Sequence, residues 1–273
     1  MKTLAIIPFR KQSARIPEKI YKKIQGTELC VSVTSKVITA LKSFENIEVL
    51  AAVDDSQTRD LLLNCLKAEN IIMTDPDLPS GTDRVYAAAL QYAQKNNISY
   101  SSLQAVINIQ GDMPFLSQSA LAELTKELKN WDASKELILT PFESWPSDLD
   151  YNDLGNVKIA TSQSDRALYF SRYPIPCSRN FDLKALKLHV GIYAFTPSAL
   201  ESFCKLPASP LEKLEGLEQL RALDAQIPIF CKHVVCNSDE SFRGIDTPSD
   251  LEWAENFKTQ KSHSKKSTGE ISP

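Results

Sequence analysis

The sequence predicts an α/β fold: a doubly wound, mostly parallel sheet carrying a smaller antiparallel, strand-rich insertion. Three observations predict it. Residues 1–75 repeat strand, helix, strand, helix, strand, the pattern of parallel pairing through right-handed crossovers. The apolar run 103–107 then stops at Asn108-Ile109-Gln110-Gly111-Asp112-Met113-Pro114, a turn that leaves one carboxylate at a strand's carboxyl end, where open α/β sheets bind ligands. From Trp145 onward, strands follow one another without long intervening helices.

The first strand, 3–8, is short and apolar. It runs into Phe9-Arg10-Lys11-Gln12-Ser13-Ala14-Arg15-Ile16-Pro17-Glu18-Lys19, which sets four cations at the strand end. With only eight glycines and no glycine-rich phosphate loop, a phosphate there would be held by side chains. Arg grips phosphate with paired donors and Lys acts as a point charge, so Arg10, Arg15 and Lys19 suit a polyphosphate; a solvated charged loop is the plainer alternative. Apolar residues at helical spacing mark a helix over 29–44, and 47–53 reads as the second strand. Asp55 or Ser56 can cap a helix over 57–66, and 70–74 is the third strand.

The turn-rich loop Asp75 to Arg84 enters a helix reaching Gln94, with Ser80 or Thr82 as N-cap. Such a helix start can bind a phosphate or a base edge, and Arg84 would add charge one turn in. Asp75-Pro76-Asp77 matches the D-x-D metal motif of glycosyltransferases that use nucleotide sugars, although it precedes a Pro-rich loop. The strand-end Asp112 is the first metal-ligand candidate, while Gly-Asp is also ordinary turn chemistry. A helix over 117–128 and a strand over 136–141 complete the wound part.

The insertion, about 145–200, holds strands at 156–161, 167–170 and 186–195. They carry Tyr169, Ser171, Arg172, His189 and Tyr193 among apolar neighbours. Arg172 is the group suited to an acidic ligand. Thr196-Pro197 starts a helix, and Ser209-Pro210-Leu211-Glu212 is a capping box opening another to about 223. That second helix would carry Glu212, Glu215 and Glu218 on nearly one face, with Gln219 beside the last. A strand at 229–235 leads to Asp246 in a further strand-to-helix turn, with Thr247 as N-cap and Pro248 at the first helical position. Residues 1–257 are expected to form one domain, and the Lys/Ser-rich stretch 258–273 to be disordered.

Hydrophobic content of 42%, charged content of 24% and a formal net charge of −3 exclude a global field for nucleic acid. No segment has the roughly 20 apolar residues of a membrane span, and the apolar part of the start is too short for a secretory signal. A cytoplasmic protein is expected. The six cysteines form no C-x-x-C pair and read as reduced core residues.

Eight stretches in collinear order, IIPFRKQSARIPEK, SGTDRV, INIQGDMPF, NVKIA, ALYFSRYPIP, HVGIYAF, SPLEKLEGLEQLR and GIDTPSDLEWA, closely resemble the 3-deoxy-manno-octulosonate cytidylyltransferases (CMP-Kdo synthetases) over about 3–256. The resemblance implies a nucleotide-diphospho-sugar transferase type of fold, and CTP plus the acidic sugar Kdo giving CMP-Kdo and pyrophosphate for lipopolysaccharide assembly. It also implies a homodimer with the strand-rich segment at its interface. By the same resemblance, Arg10, Arg15 and Lys19 take the β- and γ-phosphates, while Ser80, Gly81, Thr82 and Arg84 seat the nucleotide. Asp112 and Asp246 bind Mg2+, and Lys19, Asp112 and Asp246 form the catalytic set. Gln110, Arg172, His189, Tyr193, Glu218 and Gln219 receive the sugar, with Arg172 on its carboxylate. The chain departs from the family's usual residues at Glu18 (Gly), Leu78 (His), Ala87 (Glu) and Met113 (Glu). Met113 removes a negative charge beside the metal and Glu18 adds one beside the triphosphate, which bears on metal number and sugar choice. A glycosyltransferase using Asp75 and Asp77, and a nucleotide or sugar sensor without catalysis, are the competing readings.

Overall fold

The structure is a computed structural model that describes residues 1–273 except 14, 148, 178–184, 238 and 268–273, with the backbone alone for 258–267. Strand β1 (Thr3–Pro8) leads through a 3-10 turn, Lys19–Tyr21, to a small hairpin, β2 (Lys23–Ile24) and β3 (Thr27–Glu28). Gln25 and Gly26 both have positive φ, as a two-residue hairpin turn matching strand twist requires. Helix α1 (Leu29–Leu41), β4 (Ile47–Val53), α2 (Ser56–Leu62), β5 (Ile71–Met73), α3 (Gly81–Lys95), β6 (Ala105–Asn108) and α4 (Gln118–Leu128) follow. Then come β7 (Ile138–Ser144), β8 (Lys158–Thr161), β9 (Ala167–Ser171), β10 (Lys187–His189) and β11 (Tyr193–Phe195). The chain closes with α5 (Pro197–Lys205), α6 (Pro210–Glu215), α7 (Leu220–Asp224), β12 (Ile229–His233) and α8 (Pro248–Ser267).

One sheet runs β5-β4-β1-β6-β11-β7-β10-β8-β9, with β12 on β7. β1 pairs in parallel with β4 and β6, as β4 does with β5 and β12 with β7. β11 lies antiparallel between β6 and β7, and β10 lies antiparallel to β7 and β8. This is the doubly wound α/β fold with a mostly parallel core and the smaller antiparallel insertion the sequence predicts. The expected single strand over 186–195 is two strands, because the chain changes register against β7 at Val190, Gly191 and Ile192. That break brings Gly191 beside Gln110 and Met113.

Period-two alternation divides the strands between two cores. Ala5, Ile7, Ala51 and Val53 face α1, α4 and α8, while Leu4, Ile6, Leu50 and Ala52 face α3 and α5. Each fully buried Val, Leu or Ile there contributes about 1.5–3 kcal/mol, so both sheet faces are strongly specified. Helix starts follow the predicted chemistry. Asp55, Ser80, Ser117, Thr196 and Ser209 each accept a backbone N–H at an N-cap, and the Ser209/Glu212 capping box is complete.

Two expectations are corrected. The helix expected over 209–223 is broken at Gly216, whose φ of 62° ends α6, so Glu218 does not share a helix face with Glu212 and Glu215. The backbone of α8 runs to Ser267. Residues 268–273 lie outside the described residues. The six thiols are free; Cys177, however, is exposed rather than in the core.

Glu18 has φ 52° and ψ 37°, a left-handed conformation in an exposed position. A Cβ there costs roughly 1–2 kcal/mol, partly offset in glycine by its greater entropy loss on folding. Glu18→Gly is therefore expected to raise stability by about 0.5–1 kcal/mol, read as a higher urea midpoint at unchanged slope; an unchanged midpoint would show that the strain is relieved elsewhere.

Candidate active site

The carboxyl ends of β1 and β6 lie side by side and open onto one edge of the sheet. The turn after β6 can press against β1 only because residue 111 is glycine: a Cβ there would come 2.7 Å from Pro8 O and 2.8 Å from the Phe9 ring. Asp112 is held in that turn. Its carbonyl accepts the Ile245 N–H at 2.9 Å, which brings in the chain that leads to Asp246. Residue 244 is again glycine, where a Cβ would sit 3.2 Å from Asp112 Oδ1.

Lys19, two residues after Pro17, points its ammonium into the same place. Nζ donates to Asp112 Oδ2 at 2.7 Å and to Ile245 O at 2.7 Å, and lies 3.4 Å from Asp246 Oδ1. Arg15 reaches Asp246 Oδ1 at 3.2 Å through its own, more exposed side chain. Asp246 is oriented by Asp250, which accepts the N–H groups of Asp246 and Thr247 and the Thr247 hydroxyl, while Arg243 bonds its other oxygen. Burial opposes ionisation of Asp250, but these Thr247 and Arg243 hydrogen bonds hold its pKa below the usual carboxylate range. Residues separated by more than 220 positions thus meet at one cation.

A hard divalent cation fits this pair of carboxylates. Both aim at one ammonium, and Mg2+ is commonly held by one or two carboxylates with phosphate oxygens and water completing its shell. Among the described residues no group of three or more His, Cys, Asp and Glu side chains is gathered for a metal. Asp75 and Asp77 do not supply one: Asp75 Oδ1 accepts the Asp77 N–H at 2.9 Å, a turn closed on itself in an exposed loop.

Beside this centre, Ser80 caps α3 by accepting the Asp83 N–H and donating to its carboxylate. Gly81 faces Pro8, and Thr82 donates to Glu218 Oε2 at 2.7 Å while accepting from Asn108. Arg10 turns back to the Leu78 carbonyl at 2.6 Å. Arg84 is different. It is wholly buried on Asp54 and Thr74, since its position on α3 faces the sheet, and burial pushes its pKa down against the pull of Asp54. The structure therefore places Arg84, expected to add charge one turn into the helix, beneath the strand ends on Asp54 and Thr74.

A second group lies where β11 meets β6. His189 Nε2 is 3.1 Å from Thr140 Oγ1 and 3.0 Å from the Tyr193 hydroxyl, and burial pushes its pKa down to about 3, so the ring is neutral at neutral pH. Tyr193, Thr82, Glu218 and Gln219 line a void of about 10 Å³, roughly one water in size. Glu218 Oε1 and Gln219 Nε2 are buried there without a hydrogen-bond partner among the described residues. Buried polar atoms are normally satisfied, so unpaired ones beside a void mark a place for ligand groups or water. Gln110 adjoins through Gly191. Met113 is 6% exposed and its Cε lies 3.4 Å from where a Gly191 Cβ would be, so the thioether packs beside Gly191. Arg172 bonds three main-chain carbonyls, Leu154, Glu215 and Gly216, with Nη1, Nε and Nη2.

Sequence reasoning did not single out Asn108, Asp54, Asp250 or Lys158. Asp250 had a signal, three residues after Thr247 in a capping-box spacing; the others are common polar residues whose contacts are mostly distant in sequence.

The sequence pattern of the family described as Cytidylyltransferase matches residues 4–232. A 3-deoxy-manno-octulosonate cytidylyltransferase of a Nitratiruptor species is 33% identical over 250 residues, covering 91% of this chain and 96% of that protein. One of Thermodesulfovibrio yellowstonii is 36% identical over 265 residues, covering 93% and 97%. The solved structure of a CMP:2-keto-3-deoxy-manno-octonic acid synthetase complexed with CTP superposes with a TM-score of 0.78 at 30% identity, over 96% of this chain and all of that one. A cytidylyltransferase of Leptospira borgpetersenii, at 18% identity and TM-score 0.55, shares the fold.

Proposed function

This chain belongs to the cytidylyltransferase family, with the 3-deoxy-manno-octulosonate cytidylyltransferases, and from that premise we propose that it joins CTP to Kdo or a close 3-deoxy acidic sugar, releasing pyrophosphate and the CMP-sugar used in lipopolysaccharide assembly. The observation that carries this reading is the Lys19 ammonium held between Asp112 and Asp246 at the strand ends.

The sugar's anomeric hydroxyl attacks the α-phosphorus in line, and the bond to the β-phosphate oxygen breaks. Such transfer depends mostly on positioning and charge neutralisation. Asp112 and Asp246 would hold Mg2+, which when bound would supply charge neutralisation to the phosphates. Lys19, Arg15 and Arg10 bind the β- and γ-phosphates and stabilise the charge of the departing pyrophosphate. Ser80, Gly81 and Thr82 seat the nucleotide at the start of α3, and Arg84 braces that helix from beneath. Gln110, Tyr193, Glu218 and Gln219 receive sugar hydroxyls, and neutral His189 orients the Tyr193 hydroxyl. Arg172 closes this wall from the side of the insertion.

Residues 1–257 act as one catalytic domain in this reading, with the insertion at 145–200. A homodimer is supported by Leu154, Tyr173 and Leu214, which are 48%, 70% and 82% exposed on segments joined by Arg172. Sedimentation at micromolar concentration reporting only a monomer would remove that assignment. No described helix is long and apolar enough to cross a membrane, and the proposed use of CTP supports a cytoplasmic reaction.

Incubation with CTP, Mg2+ and a panel of 3-deoxy acidic sugars should release pyrophosphate and yield a CMP-sugar by mass spectrometry. CTP binding in calorimetry with no pyrophosphate from any sugar would make the protein a sensor instead.

A further inference from the structure

Lys158 is wholly buried, yet among the described residues its ammonium bonds no carboxylate. It donates to two main-chain carbonyls, Asp153 at 2.7 Å and Arg172 at 2.8 Å, and lies 5.5 and 5.6 Å from the ring centroids of Trp145 and Tyr151. Burying a cation is costly, and carbonyls with aromatic faces offset only part of that cost. Burial accordingly pushes the pKa of Lys158 down, with Asp153 and Asp150 opposing. An apolar residue at this position would avoid the penalty, so the two carbonyls it gathers need an account.

Those carbonyls join the loop 150–156 to the end of β9, and the connection continues. Arg172 donates from Nη1 to Leu154 O in that same loop, from Nε to Glu215 O at 2.8 Å and from Nη2 to Gly216 O at 3.2 Å. Its backbone N–H and the Ser171 hydroxyl both bond the Glu215 carboxylate, at 3.0 and 2.7 Å. Four hydrogen bonds from two consecutive residues therefore tie the end of β9 to the end of α6, where the chain turns at Gly216, and a fifth ties it to the loop. Two residues beyond that turn is Glu218, bonded to Thr82, with Oε1 aimed into the void beside Tyr193 and Gln219.

We propose that Lys158 and Arg172 are positioning residues for the sugar side of the site: Lys158 sets the main chain at Arg172, and Arg172 sets the turn that presents Glu218 and Gln219. The inference rests on the proposed cytidylyltransferase activity. Three of the five guanidinium N–H groups are already used on main-chain carbonyls, and in this proposal Arg172 acts on the acidic sugar through Glu215 and Gly216 rather than as its carboxylate partner. Displacement of a binding wall by about 1 Å can cost on the order of 10²-fold, whereas the metal and triphosphate centre, built on β1, β6 and the start of α8, lies outside this chain of contacts.

The test is steady-state kinetics on Lys158→Met, which keeps the stem length and removes the ammonium, and on Arg172→Met. Lys158→Met should raise KM for the acidic sugar about tenfold or more, with KM for CTP and kcat within about twofold. Arg172→Met should raise KM equally for the acidic sugar and for its carboxamide analogue. Should Lys158→Met not fold, Glu215→Gln, at a half-exposed site, should show the same split at several-fold. With native enzyme active, an unchanged sugar KM in Lys158→Met or Glu215→Gln, or a CTP KM rising in step, overturns the proposal. A loss in Arg172→Met confined to the carboxylate form overturns it for Arg172. Native protein silent with every acidic sugar overturns the proposed activity and this inference with it.

Discussion

Asp112→Asn and Asp246→Asn should each lower turnover by about 10²-fold or more. Both carboxylates aim at one cation between β6 and the start of α8, and each substitution keeps the shape of its side chain while removing a charge from that focus. If each carboxylate supplies ~3 kcal/mol of transition-state stabilisation, the expected factor follows directly from the rate relation. Asp112 is the more enclosed of the two, at 24% side-chain exposure against 50% for Asp246, so its loss should be the larger. Pyrophosphate release under saturating CTP, with unfolding midpoints measured alongside, checks the outcome. Near-native turnover in both variants would mean that phosphate charge is neutralised elsewhere.

Lys19→Met should separate two consequences that most substitutions at such a centre combine. The ammonium bonds the oxygens of Asp112 and Asp246 that a divalent cation would use, so ammonium and metal compete for them. Removing the ammonium leaves two carboxylates facing each other, and binding of Mn2+ by the nucleotide-free protein, read by electron paramagnetic resonance, should tighten. The triphosphate would at the same time lose one of the cations proposed to bind it, so kcat/KM for CTP should fall about 10²-fold. Weaker Mn2+ binding together with lower kcat/KM would show that Lys19 merely holds the two carboxylates in place.

Much of the architecture was legible because it is written in local chemistry. The apolar runs at β1, β4 and β6, the caps at Asp55, Ser80, Thr196 and Ser209, and Pro behind Thr196, Ser209 and Thr247 each act within a few residues. The break of the long strand at Val190 to Ile192 and the end of α6 at Gly216 were not legible in the same way. Register against β7 and the left-handed turn are settled by what packs around them. Glu18 is an intermediate case. Its left-handed backbone is one that glycine adopts most readily, and its side chain is exposed.

The site divides along the same line. Sequence alone determined the residue types and their strand-end or helix-start positions: the cations Arg10, Arg15 and Lys19, the carboxylates Asp112 and Asp246, and the Ser80-Gly81-Thr82 entry to α3. These follow from periodicity, turn chemistry and capping, whose range is a few residues, and the collinear motifs named the family. Only the tertiary structure decided which of them act together. It set Lys19 between two carboxylates more than 130 positions apart, sent Arg84 beneath the sheet, spent three donors of Arg172 on carbonyls and packed Met113 against Gly191. The physical reason is that a side chain's charge and length are local properties, whereas its burial and its partner are set by strand order, register and close approaches such as Gly111 on Pro8, which bring distant segments into contact.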